Sequence, residues 1–188
     1  VTGFAPRSRD RIEHCAECPP ELVSQVSECG AMVVTQPAFV YWNGEAYQQR
    51  VEPSLLPHLY AVGALDRAGV PLAFGSDAPV TGPNPWPAIY SAVTRATSGG
   101  GTLPARDSGR SGMGQGIPVA RALRMNTLGG AWAEGTQDRK GTIRPGKLAD
   151  LVLLDGDPIK MDPHRLKDMR AVLTVVGGQV AWEGGLQS

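Results

Sequence analysis

Three times between residues 10 and 97, a short apolar run bounded by glycine or proline is followed by a stretch with helical spacing. This alternation constrains the fold more than any other feature, because strands joined through helices run parallel and need helices to cover them. The first run, Asp10-Arg11-Ile12-Glu13-His14, is short and ends on a polar residue. Pro19 and Pro20 then open a helix with Leu22, Val26 and Cys29 on one face, and Gly30 stands where a helix stops. Ala31-Met32-Val33-Val34-Thr35 reads as a buried strand between Gly30 and Pro37. The spacing of Leu55, Leu59, Val62 and Leu65 predicts one helix, capped by Ser54 and ended by Gly69. Val70-Pro71-Leu72-Ala73-Phe74-Gly75 predicts a third strand, ending at Ser76-Asp77. Trp86, Ile89, Val93 and Ala96 then mark a third helix. Right-handed crossovers make the three strands neighbours or near neighbours, so the expected class is α/β.

Beyond residue 97 the pattern changes. Residues 98–116 are rich in glycine and polar side chains and read as a mobile loop, either a lid or disordered. Ile117, Ala120, Leu123, Thr127 and Ala131 predict a fourth helix. Residues 149–154 and 171–176 then read as strands, and Gly177-Gly178 reads as a hairpin turn into a partner at 179–183. Strands without long helices between them form a small antiparallel module, so the chain divides into residues 1–137 and 138–188.

Composition removes several classes of function. The 18 basic and 18 acidic side chains cancel and form no basic run, which argues against nucleic-acid and anionic-membrane partners. No stretch approaches the roughly 20 apolar residues of a membrane span. Three cysteines are too few for a disulfide scaffold, which makes a cytoplasmic setting the default. The chain starts at Val1 with neither an initiator methionine nor a signal-peptide core, as expected of a cut product.

His14 and Asp77 fall at the carboxyl ends of the first and third predicted strands, the edge where parallel α/β sheets bind ligands. Imidazole and carboxylate are ordinary ligands of zinc and similar divalent metals. On spacing alone, a core histidine and a turn-capping aspartate explain the two residues as simply. Two ligands also fall short of the three protein ligands of a catalytic zinc. Gln36 ends the second strand and either faces the site or merely precedes Pro37. Trp86 either lines a substrate pocket or packs in the core. Cys15-Ala16-Glu17-Cys18 is a C-x-x-C with no second pair, so incidental cysteines are the simpler reading beside a redox or metal role.

Three motifs shift this balance. Arg11-Ile12-Glu13-His14, the run from Ala73 through Gly75-Ser76-Asp77-Ala78-Pro79 to Val80, and the run from Lys140-Gly141-Thr142 to Asp155 resemble, in order and spacing, amidohydrolase family 3 of the amidohydrolase superfamily. The resemblance implies a (β/α)8 TIM barrel holding one or two divalent metals, most often zinc, at its carboxyl face, followed by a small β-sandwich. It implies that His14, at the end of the sixth barrel strand, is a metal ligand. It also implies that Asp77, at the end of the eighth, is both metal ligand and general acid/base. The implied reaction is hydrolysis of a non-peptide C–N bond in a small-molecule substrate by metal-activated water.

The family's His-x-His pair and its ligands on the fourth and fifth strands have no counterpart here, since His58 lies in a helical pattern and His164 in the tail. A complete barrel takes about 250 residues, and residues 10–97 hold three units. The chain therefore reads as a partial barrel, strands six to eight, followed by part of the β-sandwich. Its open edges imply self-association or cover from a missing N-terminal part. The isolated chain is expected to bind metal weakly and to be inactive. The competing class is a truncated, non-catalytic oligomerisation or binding module.

Overall fold

The computed structural model describes residues 10–104 and 115–184. The predicted loop 98–116 lies largely outside them. Its described ends are pinned: Ala96 bridges Thr102, and Leu103, Gln115 and Ile117 are buried.

Strands β1 (Arg11–Glu13), β2 (Met32–Thr35) and β3 (Leu72–Phe74) form a parallel sheet in the order β1-β2-β3. Helix α1 (Pro20–Cys29) connects the first two and stops at Gly30, whose φ of 72° explains the glycine. Its inward residue is Val23, with Val26 packed alongside. The predicted face of Leu22 and Cys29 points outward instead: both are exposed. The helix meets its neighbours one residue round from where periodicity placed it.

The β2–β3 connection departs most from expectation. Helix α2 (Ala38–Arg50) is absent from the sequence reading. Its apolar residues Ala38, Phe39 and Val40 are consecutive rather than periodic, so it carries almost no amphipathic signal. The single helix expected from Ser54 onward is in fact two pieces. A 3-10 turn (Leu56–His58) and helix α3 (Val62–Arg67) are separated by Tyr60, whose φ of 44° breaks the ladder. Ser54 caps nothing; its hydroxyl donates to Glu52 at 2.5 Å.

Helix α4 (Trp86–Thr94) follows β3 and ends two residues before the predicted Ala96, because Arg95 takes a left-handed conformation. Helix α5 (Val119–Arg124) runs through a π-helical turn (Met125–Gly129) into α6 (Gly130–Glu134). The π turn lies against β3: a Cβ on Gly129 would overlap the Leu72 carbonyl oxygen and sit 3.1 Å from Ala73 Cα. The wide turn follows from this close approach of two backbones.

The core between sheet and helices contains Val33, Leu65, Leu72, Ile89, Met125 and Leu166, all at most 1% exposed. Leu166 belongs to a 3-10 turn (Pro163–Asp168), so the tail is packed into this core. Strands β4 (Leu151–Leu154), β5 (Ala171–Val176) and β6 (Gln179–Glu183) form the second, antiparallel sheet, with the hairpin at Gly177-Gly178 as expected. Much of this sheet's apolar surface is open: Val152, Leu153, Val180 and Trp182 are half or more exposed.

Candidate metal centre

The carboxyl ends of β1, β2 and β3 form one edge, and three of the sequence-predicted site residues, His14, Gln36 and Asp77, follow these ends. The register pairs Glu13 with Val34 and Thr35 with Phe74, so His14 stands level with the end of β3 and Asp77 lies three residues beyond. The outer strands are about 10 Å apart, twice the strand spacing.

The backbone at this edge is strained. Among the described residues, the non-glycine residues with left-handed φ are His14, Cys15, Tyr60, Asp77 and Arg95. Each such conformation costs of order 1–3 kcal/mol and persists only where its surroundings enforce it. Here the enforcing contacts are visible. His14 N–H donates to the Val34 carbonyl at 2.8 Å, and Tyr60 N–H donates to the Ala16 carbonyl at 2.7 Å. Glu17 bridges Leu59, and Cys18 N–H donates to the His58 carbonyl at 3.0 Å, so the loop carrying His14 is zipped to residues 58–60.

Arg95 holds that zipper from beneath. It is 3% exposed, and no carboxylate hydrogen-bonds or ion-pairs with it among the described residues. Its Nη1 donates to the carbonyls of Leu59 (2.8 Å) and Tyr60 (3.2 Å), and its Nη2 to that of Leu56 at 3.4 Å. Burial pulls its pKa down to about 10, which still leaves it charged at neutral pH. Arg95→Ala would leave the 56–60 loop without its donors. The expected loss is roughly 2–3 kcal/mol, read as a lower urea midpoint. Arg95→Lys should recover only part of it, because one ammonium cannot span three carbonyls.

Side chains complete the picture. His14 Nδ1 lies 2.9 Å from Gln36 Oε1. Gln36 is 3% exposed, and a Cβ on Gly75 would lie 3.4 Å from its Nε2, so Gln36 spans from the end of β1 to the end of β3. Tyr60 lies close enough to Asp77 to feel its charge. Burial chiefly, then the Tyr47 hydroxyl 3.5 Å away, then Asp77, push the Tyr60 phenol well above its ordinary value and keep it neutral. Trp86 stands apart from this group. It is 6% exposed and lines a cavity of about 580 Å³ with Asn84, Ile89, Leu154, Met169 and Trp182, between α4 and the second sheet. The neighbouring Cys18 thiol brings Cys15 down to about 7 against the opposing effect of burial, and Cys15 together with burial pushes Cys18 up. All three cysteines are free.

Tyr60 and Arg95 were missed in the sequence. No residue pattern announces a left-handed tyrosine, and Arg95 follows directly on an apolar helix that gives no hint of a buried cation. Among the described residues, no group of three His, Cys, Asp or Glu side chains converges as a complete metal site. His14 and Asp77 supply one nitrogen and one carboxylate donor, which suits part of a divalent-metal ligand set.

Residues 2–182 match the model of the amidohydrolase family, a span that contains His14, Gln36, Tyr60, Asp77, Trp86 and Arg95. The chain belongs to this family. It is 29% identical over 174 residues to the Bacillus subtilis (strain 168) amidohydrolase YtcJ, covering 93% of this chain and 32% of that protein. It is 28% identical over 174 residues to the N-substituted formamide deformylase of Arthrobacter pascens, covering 92% and 31%. This amidohydrolase chain thus spans about a third of the length of the curated relatives it matches. Among solved structures, an uncharacterized metal-dependent hydrolase from Pyrococcus horikoshii OT3 superposes with a TM-score of 0.66 at 24% identity, covering 82% of this chain and 30% of that one. At that identity the likeness speaks for the α/β fold alone. No helix among the described residues is long and apolar enough to cross a membrane.

Proposed function

We propose that this amidohydrolase chain is the carboxyl-terminal part of a metal-dependent hydrolase that cleaves a non-peptide C–N bond in a small molecule. In this reading β1, β2 and β3 are strands six to eight of a (β/α)8 barrel within residues 1–137. Residues 138–188 supply part of the β-sandwich. What supports it is that His14 and Asp77, both in left-handed backbone, follow the carboxyl ends of strands of one parallel sheet in a chain of this family. A divalent cation bound there, with zinc the first candidate, would lower the pKa of water from 15.7 towards about 7 and polarise a carbonyl. His14 would hold the cation through its imidazole. Asp77 would share it, take the proton from the attacking water and return it to the leaving amine. Gln36 and Trp86 would border the substrate, Gln36 beside His14 and Trp86 from the cavity behind the loop that follows Asp77. A cytoplasmic setting suits the three free thiols.

Metal content of the complete enzyme tests this reading. His14→Ala and Asp77→Asn should each lower bound metal and rate together, whereas full metal in both variants would refute it. The remaining ligands belong to units outside this chain, so the chain alone is expected to bind zinc weakly and not to turn over.

The sheet's outer strands β1 and β3 and the exposed Val152, Leu153, Val180 and Trp182 are surfaces that missing units, or a second copy, would cover. Light scattering behind size-exclusion chromatography should give the isolated chain a mass above its 19.8 kDa. A dispersed, well-folded monomer would contradict this expectation.

A further inference from the structure

We infer that Gln36 is a positioning residue that acts through His14, fixing which ring nitrogen faces the cation. The inference rests on the reading of His14 as a ligand and gives Gln36 a second task beside bordering the substrate.

The starting point is the 2.9 Å contact between His14 Nδ1 and Gln36 Oε1. A carboxamide has one accepting end and one donating end, so its orientation decides the tautomer of the imidazole it touches. The surroundings favour the orientation with Oε1 toward the ring. Gln36 Nε2 lies 3.5 Å from the Val34 carbonyl, the oxygen that also accepts the His14 backbone N–H at 2.8 Å. Turning the amide over would set its oxygen against that carbonyl, two acceptors face to face. With Oε1 toward the ring, Nδ1 must carry the proton. Nε2 is then left with its lone pair free, as a ligand requires.

The geometry around the pair makes the arrangement stiff. Gln36 is 3% exposed, so water competes little for its oxygen. Its backbone follows directly on β2, and Pro37 after it restricts its conformation. Gly75 leaves room for the amide: a Cβ there would lie 3.4 Å from Nε2, in contact with it. The His14 backbone is already fixed by its bond to Val34, so the ring torsion is the freedom left, and Gln36 removes it. A histidine side chain free in water favours the opposite, Nε2-protonated form. Without Gln36, binding a cation through Nε2 would require the ring first to change tautomer and settle.

The test uses nitrogen-15 labelled histidine in the protein, with His14 assigned by comparison with His14→Ala. Long-range proton–nitrogen spectra should show His14 protonated at Nδ1 and bare at Nε2. In Gln36→Leu, which keeps volume and removes both polar ends, the Nε2-protonated form should appear. Zinc affinity of the complete enzyme, titrated with zinc chloride, should then drop roughly 10- to 100-fold, the usual effect of losing an outer partner of a ligating histidine. Gln36→Glu, which keeps an acceptor in the same place, should restore the Nδ1-protonated form and most of the affinity. A purely structural role for Gln36 would not move the tautomer. A His14 ring found Nε2-protonated in the unaltered protein, or a tautomer unchanged in Gln36→Leu, overturns the inference. If the tautomer behaves as expected but zinc leaves the His14 nitrogen shifts unmoved, the reading of His14 as ligand fails and the positioning role toward a cation fails with it.

Discussion

Replacing Asp77 by asparagine in the complete enzyme is expected to lower turnover by about 10²- to 10⁴-fold, the range a positioned general acid/base contributes. The substitution keeps shape and hydrogen-bonding capacity while removing the charge and the proton-accepting ability. Two consequences should travel together. Bound metal should decline because one anionic donor is gone, and the rate per bound metal should decline because no group returns a proton to the leaving amine. Measuring metal content and rate on the same samples separates these effects. A variant with a normal rate per metal would show that Asp77 is only a ligand. A normal rate and normal metal would remove it from the site. Asparagine accepts a left-handed backbone more readily than most residues, so the φ of 55° at this position should survive the change. Loss of activity can then be assigned to chemistry rather than to the loop.

A neighbouring pair of glycines should respond in opposite directions. Gly129→Ala places a methyl group against the Leu72 carbonyl and within 3.1 Å of Ala73 Cα. Both are backbone atoms of β3 and cannot rotate away, so the π turn and the strand must move apart. The expected cost is about 1–3 kcal/mol or more, as for other overpacked cores. Gly130 is the next residue and also helical, with φ −58° and ψ −44°, yet nothing lies within 4 Å of its Cβ position. Gly130→Ala should stabilise by roughly 0.5–1 kcal/mol through the reduced entropy of the unfolded chain. Urea unfolding of the two variants beside the unaltered protein checks both signs at once. Two destabilised variants would mean that the close approach at Gly129 does not control this turn. Because β3 leads directly to Asp77, Gly129→Ala should also disturb the site.

Much of the strand–helix order was legible because it is written in local patterns. The strand around Met32-Val33-Val34, the helix ended by Gly30 and the hairpin at Gly177-Gly178 each carry a signal a few residues long. Helix α2 carried none, since its buried residues cluster at one end and its direction is set by what it packs against. The break at Tyr60 was equally hidden. Leu55, Leu59, Val62 and Leu65 keep helical spacing, but the bonds from Tyr60 to Ala16 and Arg95 come from residues distant in sequence and override it. Leu22 and Cys29 were misplaced for a similar reason: periodicity gives a stripe, and only the neighbour says which side of it is inward.

The sequence alone determined that the chain alternates strand and helix, that it carries an imidazole and a carboxylate at strand ends, and that its motifs are those of amidohydrolases. These follow from residue identity and short-range spacing, and need no partner to be read. Tertiary structure decided that the loop after β1 is zipped to residues 58–60 over a buried arginine, that Gln36 meets His14, and that Gly129 lets a helix touch a strand. Each of those depends on groups tens of residues apart being brought within a few ångströms, and backbone hydrogen bonds and close packing have no signature until the chain has folded.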